Sequence, residues 1–226
     1  MKRIAGRLLV LIILVIILST LTGCQGMFGT IEPNQKTMLF NGKDMSGWKL
    51  FIPDENIDVN KIWSVSNDVV QCKGKPNGYM RTKAAYKNYK FHIEWRWPAK
   101  PTNSGVLLHA GGDDKVWPQC IECQLKAGSA GDFVLMNGAG ITVDGKNMQD
   151  VNKQFVGIKK KQNSSEKPAG QWNSYDILCD EGNIHCYVNN VLQNVGTAAT
   201  NTSGWICLQS EGGPIEFRNI YIEPLR

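Results

Sequence analysis

The segment from Tyr89 to Trp97 constrains the fold most, because its side chains alternate strictly in character. In an extended strand, successive side chains point to opposite faces, so this segment has one apolar face and one polar face. The apolar face carries Tyr89, Phe91, Ile93, Trp95 and Trp97, and the polar face carries Lys90, His92, Glu94 and Arg96. A helix would scatter both sets around its axis. The segment therefore predicts a β-strand that covers a core.

Shorter strand-like runs recur along the chain between glycine, asparagine and proline turn signals. They are IWSV, DVVQC, GYMRT, GWICLQ, IEFRNIYIE and a hairpin in which Tyr175, Ile177 and Cys179 precede Glu181-Gly182 and Ile184, Cys186 and Val188 follow. No stretch beyond the N-terminus shows a convincing helical period. The pattern predicts an all-β protein, built as an antiparallel β-sandwich.

The N-terminus has the features of a bacterial export signal. Three basic residues precede the apolar run from Leu8 to Leu18, and the sequence LTGC ends at Cys24. This arrangement resembles a lipobox, which predicts a signal peptide over 1–23 and a lipid anchor on Cys24 in the cell envelope, either periplasmic or at the cell surface. The alternative is an uncleaved anchor, although the run is short for a span of about 20 residues.

The rest of the chain divides into a predicted tether, 24–37, and one predicted domain, 38–226, of a size typical of single sandwiches. Loss of the signal peptide lowers the net charge from +5 to +2, because three basic residues and no acidic residue are removed. The one basic cluster, Lys159–Lys161, has no aromatic residues interleaved. The sequence thus predicts no nucleic-acid partner, and it leaves the oligomeric state open.

Six cysteines remain after Cys24, an even number that permits disulfides in an exported protein. Cys120 and Cys123 are three apart in an apparent strand and so point to opposite faces, which argues against a redox pair or a zinc knuckle. Cys179 and Cys186 fall on the buried face of the predicted hairpin. We expect the cysteines to act as small core residues.

The stretch from Asn103 to Lys126 is the candidate site. Its second strand-like run sends Glu122, Gln124 and Lys126 to one face, and Ile121, Cys123 and Leu125 to the other. His109 ends the first run, and the intervening loop carries Trp117. An aromatic ring near a carboxylate and a histidine suits a sugar, which stacks its C–H faces and hydrogen-bonds through its hydroxyls. A strand with one solvated face would show the same alternation.

The same loop contains Asp113 and Asp114, which are candidate ligands for a divalent cation. Adjacent acids in a glycine-rich loop are also commonly just hydrated. The sequence therefore names no cofactor and leaves a divalent metal open.

Several motifs together resemble the 3-keto-disaccharide hydrolase family. They are LFNGKDMSGW, FHIEWRW, NSGVLLH, VWPQCIECQL, AGDF, GQWNSYDI, NIHCYVNNVL and GWICLQSEGGPIEFRNI, in this order from about Met38 onward. The resemblance implies a concanavalin-like jelly roll, related to laminarinases and lichenases, and a carbohydrate substrate oxidised to a ketone at C3. The sequence departs from the family at His109, where many members have arginine, and in the cysteines around Glu122.

A ketone at C3 makes the hydrogen at C2 acidic, so a base can form an enolate, the C1 substituent can leave, and water can add back. This chemistry needs a base, a stabiliser for the enolate oxygen and an acid for the leaving group. The candidates for these roles are Glu122 as base, His109 as acid or donor and Arg96 as the fixed cation. Candidate substrate-binding residues are Glu94, Asn103, Trp117 and Gln124.

Two other functions remain open. A non-catalytic, lectin-like sugar-binding module would need only Trp117 and a polar cleft. An ordinary glycanase would need two carboxylates flanking the scissile bond, whereas alternate positions of the candidate strand read Glu122, Gln124 and Lys126. Glu94 and Arg96 also fit a cross-strand ion pair, and Trp95, Trp97 and Trp172 fit a core.

Replacing Cys24 tests the anchor. In the full-length precursor, Cys24→Ala should abolish lipid attachment and release the protein from the membrane fraction, because acylation needs the thiol. Fractionation with a labelled fatty acid measures both effects. A Cys24→Ala protein that stays with membranes and still carries the label would contradict the lipobox interpretation.

Overall fold

The computed structural model describes residues 29–226, and the predicted signal peptide and lipidation site lie outside them. Within this range the chain forms seventeen strands and one short 3-10 turn, Val59–Lys61. The strands are β1 Thr37–Met38, β2 Trp48–Phe51, β3 Trp63–Ser66, β4 Val69–Cys72, β5 Gly78–Thr82, β6 Tyr89–Arg96, β7 Gly105–Gly111, β8 Gln119–Gln124, β9 Phe133–Met136, β10 Thr142–Val143, β11 Lys146–Asn147, β12 Phe155–Ile158, β13 Asn173–Asp180, β14 Asn183–Val188, β15 Val191–Gly196, β16 Trp205–Ser210 and β17 Ile215–Glu223. None of the helical turns over 29–226 is long and apolar enough to cross a membrane.

Two antiparallel sheets pack face to face. The front sheet has the order β12-β9-β8-β7-β16-β5-β2, and the back sheet has the order β15-β14-β13-β6-β17-β4-β3. The short β1 pairs with the second half of β17, next to the half that pairs with β4. The prediction of an antiparallel β-sandwich is confirmed.

The alternation in β6 places its side chains as predicted. Tyr89, Phe91, Ile93 and Trp95 are at most 1% exposed and face the front sheet, where Ile121 and Cys123 of β8 meet them in one core. Trp97 joins the same core just after the strand. Packed sheets lie about 10 Å apart. The polar residues of β6 therefore lie on the outer face of the back sheet.

The β13–β14 hairpin has the register that the sequence indicates. Cys179 pairs with Ile184 and Asp180 with Asn183 across a Glu181-Gly182 turn, in which both residues have positive φ. This geometry matches the twist of the flanking strands. All six cysteines of the described range are free and buried.

The described part of the predicted tether contacts the sandwich. Ile31 forms a parallel bridge with Tyr86, and the Lys36 ammonium lies 3.4 Å from the centre of the Tyr221 ring. Thr37 and Met38 pair with β17. The backbone groups of Ile31, Thr37 and Met38 therefore add hydrogen bonds to those of the sandwich.

Reductant should leave the domain folded. With free thiols held in the core, the melting temperature should change by less than about 3 °C, whereas loss of a native disulfide costs about 2–4 kcal/mol. Calorimetry with and without reductant, together with thiol titration in denaturant, measures this. A fall of more than about 10 °C would mean that a disulfide supports the fold.

Candidate functional site

The outer face of the front sheet carries the candidate site. One row of side chains crosses it from β8 to β5: Glu122 pairs with Leu107, Leu107 with Cys207, and Cys207 with Arg81. Strands lie about 4.8 Å apart, so Glu122 and Arg81 are about 14 Å apart at the backbone. Their side chains extend over the same outer face of the sheet, and both are buried there.

The floor of this face is apolar. A second hydrophobic cluster, separate from the core, forms on it from Tyr79, Leu107, Ala110, Cys120, Met136 and Cys207. Phe51, Trp117, Val134 and Trp205 pack at its margin. An apolar floor with aromatic walls and few polar groups is typical of a ligand site.

Glu122 is the most unusual group on this face. It is 2% exposed, and its Oε1 has no hydrogen-bond partner in the described part of the chain. Burial raises the pKa of the Glu122 carboxyl well above its usual range, and repulsion from Glu211 adds to this. A carboxyl group kept buried without a partner is costly, and such groups cluster at functional sites.

Gly105 is required by the position of this carboxyl group. A Cβ on Gly105 would lie 1.9 Å from Glu122 Oε1, which is a severe clash. The neighbouring Ser104 donates from Oγ to the carbonyl of Gln209, 2.8 Å away, and so fixes the start of β7 against β16. The Asn-Ser-Gly turn therefore makes space for the Glu122 side chain.

A second carboxyl group lies beside the first. Glu211 follows β16 and forms a bridge with Asn103, whose Oδ1 is buried without a partner among residues 29–226. Burial raises the pKa of Glu211, against the opposing effects of a hydrogen bond from Asn103 and the charge of Lys126. Glu122 and Glu211 therefore form an acidic pair at this end of the face, and burial raises the pKa of each.

The opposite end of the face carries two cations, Arg81 and Lys49, around the carboxylate of Asp114. The Arg81 guanidinium carbon lies 3.7 Å from the centre of the Trp205 ring, and Arg81 Nε donates to Asp114 Oδ1 at 2.8 Å. Asp114 also accepts from Tyr79 Oη at 2.9 Å and from Lys49 Nζ at 2.6 Å. Partial burial opposes ionisation of Asp114, but these donors lower its pKa to about 2.

The loop between β7 and β8 folds over the sheet to reach these partners. Asp114 belongs to this loop, yet it contacts β5 and β2, which lie beyond β16. Trp117, near the end of the loop, packs edge-on against Phe155 with ring centres 5.6 Å apart. The loop thus forms a rim, and Trp117 lies at the margin of the apolar floor.

Asp114 has three donors and Asp113 is exposed, so this acidic pair does not form a chelating site. Over residues 29–226, no group of three or more histidine, cysteine, aspartate or glutamate side chains is placed to hold a metal ion.

His109 does not line the same face as Glu122. A register shift after Leu108 gives His109 a positive φ of 55° and turns its ring inward, edge-on to Tyr89 at 5.6 Å. Its Nδ1 pairs with the carbonyl of Asn201 at 2.9 Å, and burial lowers the pKa of His109 to about 4. The ring is therefore neutral at pH 7 and far from the apolar floor.

Glu94 and Arg96 lie on the outer face of the back sheet. Glu94 accepts from Arg218 Nε at 2.6 Å, and Arg96 Nε donates to Glu216 at 2.5 Å. Both are cross-strand ion pairs with β17, and the core separates them from Glu122. Trp172, expected in the core, is instead half-buried on this outer face, with Arg218 4.1 Å and Arg96 4.6 Å from its ring.

Of the remaining candidates, Gln124 shares the outer face with Glu122, but its Oε1 accepts from the backbone of Leu125 and Lys126. Asn103 lies beside Glu211. The structure thus brings Glu122, Gln124, Asn103 and Trp117 to one sheet and leaves Glu94, Arg96 and His109 elsewhere.

Sequence reasoning missed Arg81, Tyr79, Gln209, Trp205 and Glu211. The first four alternate with core residues inside GYMRT and GWICLQ, so the sequence did indicate that they point away from the core. The missing information was strand order, because β16 lies between β7 and β5 only in the folded sheet.

The stability of the domain should depend on Glu122 in a pH-dependent way. The pKa of Glu122 is higher in the folded than in the unfolded protein. The stability of wild-type protein is therefore highest below the unfolded pKa of about 4.3 and falls as the pH rises towards the folded pKa. Glu122→Gln should therefore match wild type at pH 4 and melt about 3 °C or more higher at pH 8.

Glu94→Gln is the control of opposite sign. Desolvation raises the pKa of Glu94, but hydrogen bonds from Asn219 and Arg218 outweigh it and lower the pKa. Glu94→Gln should therefore destabilise the domain at pH 7 but not at pH 3. Parallel melting curves for Glu122→Gln and wild type across pH 4–8 would show that the Glu122 carboxyl group is not held in its protonated form.

Known proteins share this architecture. A family model described as a 3-keto-alpha-glucoside-1,2-lyase-like domain matches residues 35–223. No curated protein sequence matches the chain. Among solved structures, a Parabacteroides distasonis protein provisionally named a glycosyl hydrolase is 24% identical, with 85% of this chain and 94% of that chain covered and a TM-score of 0.62.

Two further structures share the fold at lower identity. The Bacillus licheniformis β-glucanase is 13% identical, with coverage of 84% and 97% and a TM-score of 0.55. The carbohydrate-binding module CBM66 of Bacillus subtilis is 9% identical, with coverage of 78% and 95% and a TM-score of 0.54. These likenesses confirm the predicted jelly-roll fold, and the family match shows that the chain belongs to the 3-keto-alpha-glucoside-1,2-lyase-like family, a carbohydrate-active group.

Proposed function

We propose that the outer face of the front sheet cleaves 3-keto-glycosides by elimination across C1 and C2, followed by hydration. The observation that carries this proposal is the buried, unpaired carboxyl group of Glu122 on an apolar floor. A base with a raised pKa is a stronger base than an ordinary carboxylate, and it works best when its pKa lies near the working pH. The family match supports the choice of substrate.

In the first step, ionised Glu122 takes the proton from C2, and the C2–H electrons form an enolate with the C3 ketone. The negative charge that develops on the ketone oxygen needs fixed donors. Gln209, beside the Ser104-Gly105 turn, offers its side-chain amide, and Arg81 offers a permanent charge from the next strand. Arg81 takes the role that the sequence suggested for Arg96.

In the second step, the enolate collapses, the C1–O bond breaks and a C1–C2 double bond forms. The leaving oxygen takes a proton from Glu211, because repulsion between the two carboxylates favours a state in which one is ionised and the other keeps its proton. Glu211 thus replaces His109, which is neutral and turned into the core. Water then adds its hydroxyl to C1 and a proton to C2, so the net reaction is hydrolysis to a free 3-keto sugar.

The walls of the face suit a sugar ring. Trp205 is held under the Arg81 guanidinium, and Trp117 is packed against Phe155, so each ring has a fixed orientation. Fixed aromatic rings bind the C–H faces of a sugar at a low entropy cost. We also propose that lipid on Cys24 holds the enzyme in the bacterial envelope.

The Glu122 and Glu211 pair also supports a second function, direct hydrolysis of ordinary glycosides by two carboxylates. A third function is a lectin-like module without catalysis. The salt bridge between Arg81 and Asp114 supports it, because a paired Arg81 stabilises an enolate less. Substrate and turnover separate the three, because only elimination needs the ketone and a lectin has no turnover.

The decisive variant is Glu122→Gln, which keeps the size of the side chain and removes the base. Turnover of 3-keto-glycosides should fall by at least about 100-fold, with sugar affinity nearly unchanged. Glu55→Gln, an exposed carboxylate in a loop, is the matched control and should keep full activity. Chromatography of the released sugar measures the rate.

Deuterium at C2 of the substrate gives an independent test of the route. Base-driven elimination should slow the reaction or exchange the label with solvent, whereas displacement at C1 leaves C2 untouched. If wild-type protein cleaves unoxidised glycosides as fast as 3-keto-glycosides, with no exchange at C2, the elimination route is wrong and the two-carboxylate mechanism replaces it.

A further inference from the structure

The outer face of the back sheet has a groove that the proposed reaction does not use. Two adjoining hollows of about 260 and 510 Å³ share His92, Asp176 and Tyr221 in their walls. They are opposite the candidate active site, because these residues project from β6, β13 and β17 away from the core. Trp172 and Arg218 line the far end of the larger hollow.

Aromatic rings in this groove are held in fixed orientations. The His92 and Tyr221 rings stack with centres 4.6 Å apart and planes inclined by 17°, and Lys36 lies 3.4 Å from the centre of the Tyr221 ring. Trp172 is held by the Arg218 and Arg96 guanidinium groups. The groove therefore has fixed aromatic walls, one at the His92–Tyr221 stack, where the Tyr221 ring presents its edge and hydroxyl, and one at Trp172.

Several charged side chains around the groove have partners within the face, whereas Lys90 and Lys167 in its walls form no salt bridge in the described part of the chain. His92 Nδ1 lies 2.6 Å from Asp176 Oδ1, and Arg218 lies 2.6 Å from Glu94. Lys36 pairs in the same way with Glu223 at 3.4 Å. Two separate lysines give the face little long-range attraction for phosphate or nucleic acid compared with a clustered basic patch. It offers instead a set of oriented donors and acceptors at short range.

The ion pairs also leave hydrogen-bonding capacity for a ligand. The Nδ1 of His92 is taken by Asp176, which fixes the ring and leaves Nε2 for another partner. Glu94 is fixed in the same way by Arg218 and Asn219, at 2.6 and 2.9 Å. Planar polar side chains beside an aromatic ring match the hydroxyls and C–H faces of a pyranose.

We propose that this groove is a second carbohydrate site, which binds a neutral, unoxidised sugar without cleaving it. The protein then holds a glycan on the back sheet while the front sheet carries the chemistry. The two sites are independent, because the apolar core of about 10 Å separates the sheets. The inference does not rest on the proposed reaction.

Unoxidised sugars test this site separately from the reaction, because the elimination needs a ketone. The full-length Glu122→Gln protein, in a detergent without a sugar headgroup, is titrated with methyl glucoside, sucrose, trehalose, maltose and cellobiose. At least one sugar should give saturable NMR shifts at the His92 and Tyr221 rings. Tyr221→Ala should weaken that binding about tenfold, the effect of losing one aromatic wall of the groove.

Phe155→Ala, an aromatic truncation at the edge of the front sheet, is the matched control and should leave the affinity unchanged. His92→Gln is the second variant, for use if Tyr221→Ala does not fold. It should weaken binding to a similar extent. The proposal is overturned if none of the sugars gives saturable shifts up to about 100 mM, because a Kd above this concentration corresponds to less than about 1.4 kcal/mol of binding. It is also overturned if the shifts lie on the front sheet and survive both changes.

Discussion

The burial of one apolar layer between two sheets determines where every functional group can lie. Residues such as Phe91, Trp95 and Ile121 are at most 1% exposed, and each large side chain contributes about 1.5–3 kcal/mol through burial. Because side chains alternate, fixing every second residue in this layer sends the others outward. The protein therefore has two outer faces, and the polar residues of β6 and β8 lie on different ones.

This division explains what the sequence could and could not predict. Alternation in Tyr89–Trp97 and Gln119–Gln124 correctly identified the side of each strand that faces the core. The Glu181-Gly182 turn correctly gave the register of the hairpin. Alternation does not specify which sheet a strand joins, so Glu94 and Arg96 were grouped with Glu122 although the core lies between them. His109 escaped the pattern because a register shift after Leu108 reverses the direction of its side chain.

The front face combines two features that rarely occur together in a purely structural surface. Glu122 is deeply buried without a partner, and Gly105 lacks a side chain at the one place where a Cβ would displace that carboxyl group. Both features lower stability or restrict the sequence, and neither improves the core. Such local costs are expected at sites kept for function. On the back face, in contrast, the ionic side chains are largely paired, which suits binding rather than proton transfer.

The account depends on Glu122 being the group whose ionisation controls the reaction. The most direct measurement is a ¹³C NMR titration of the Glu122 carboxyl carbon, compared with the pH dependence of kcat/KM on a 3-keto-glycoside. We predict a midpoint well above the ordinary glutamate value of about 4.3. The same midpoint should limit the rate on its acidic side, and Glu211→Gln should lower it by removing the repulsion. A Glu122 midpoint near 4.3, or a rate limited by a different ionisation, would contradict the account.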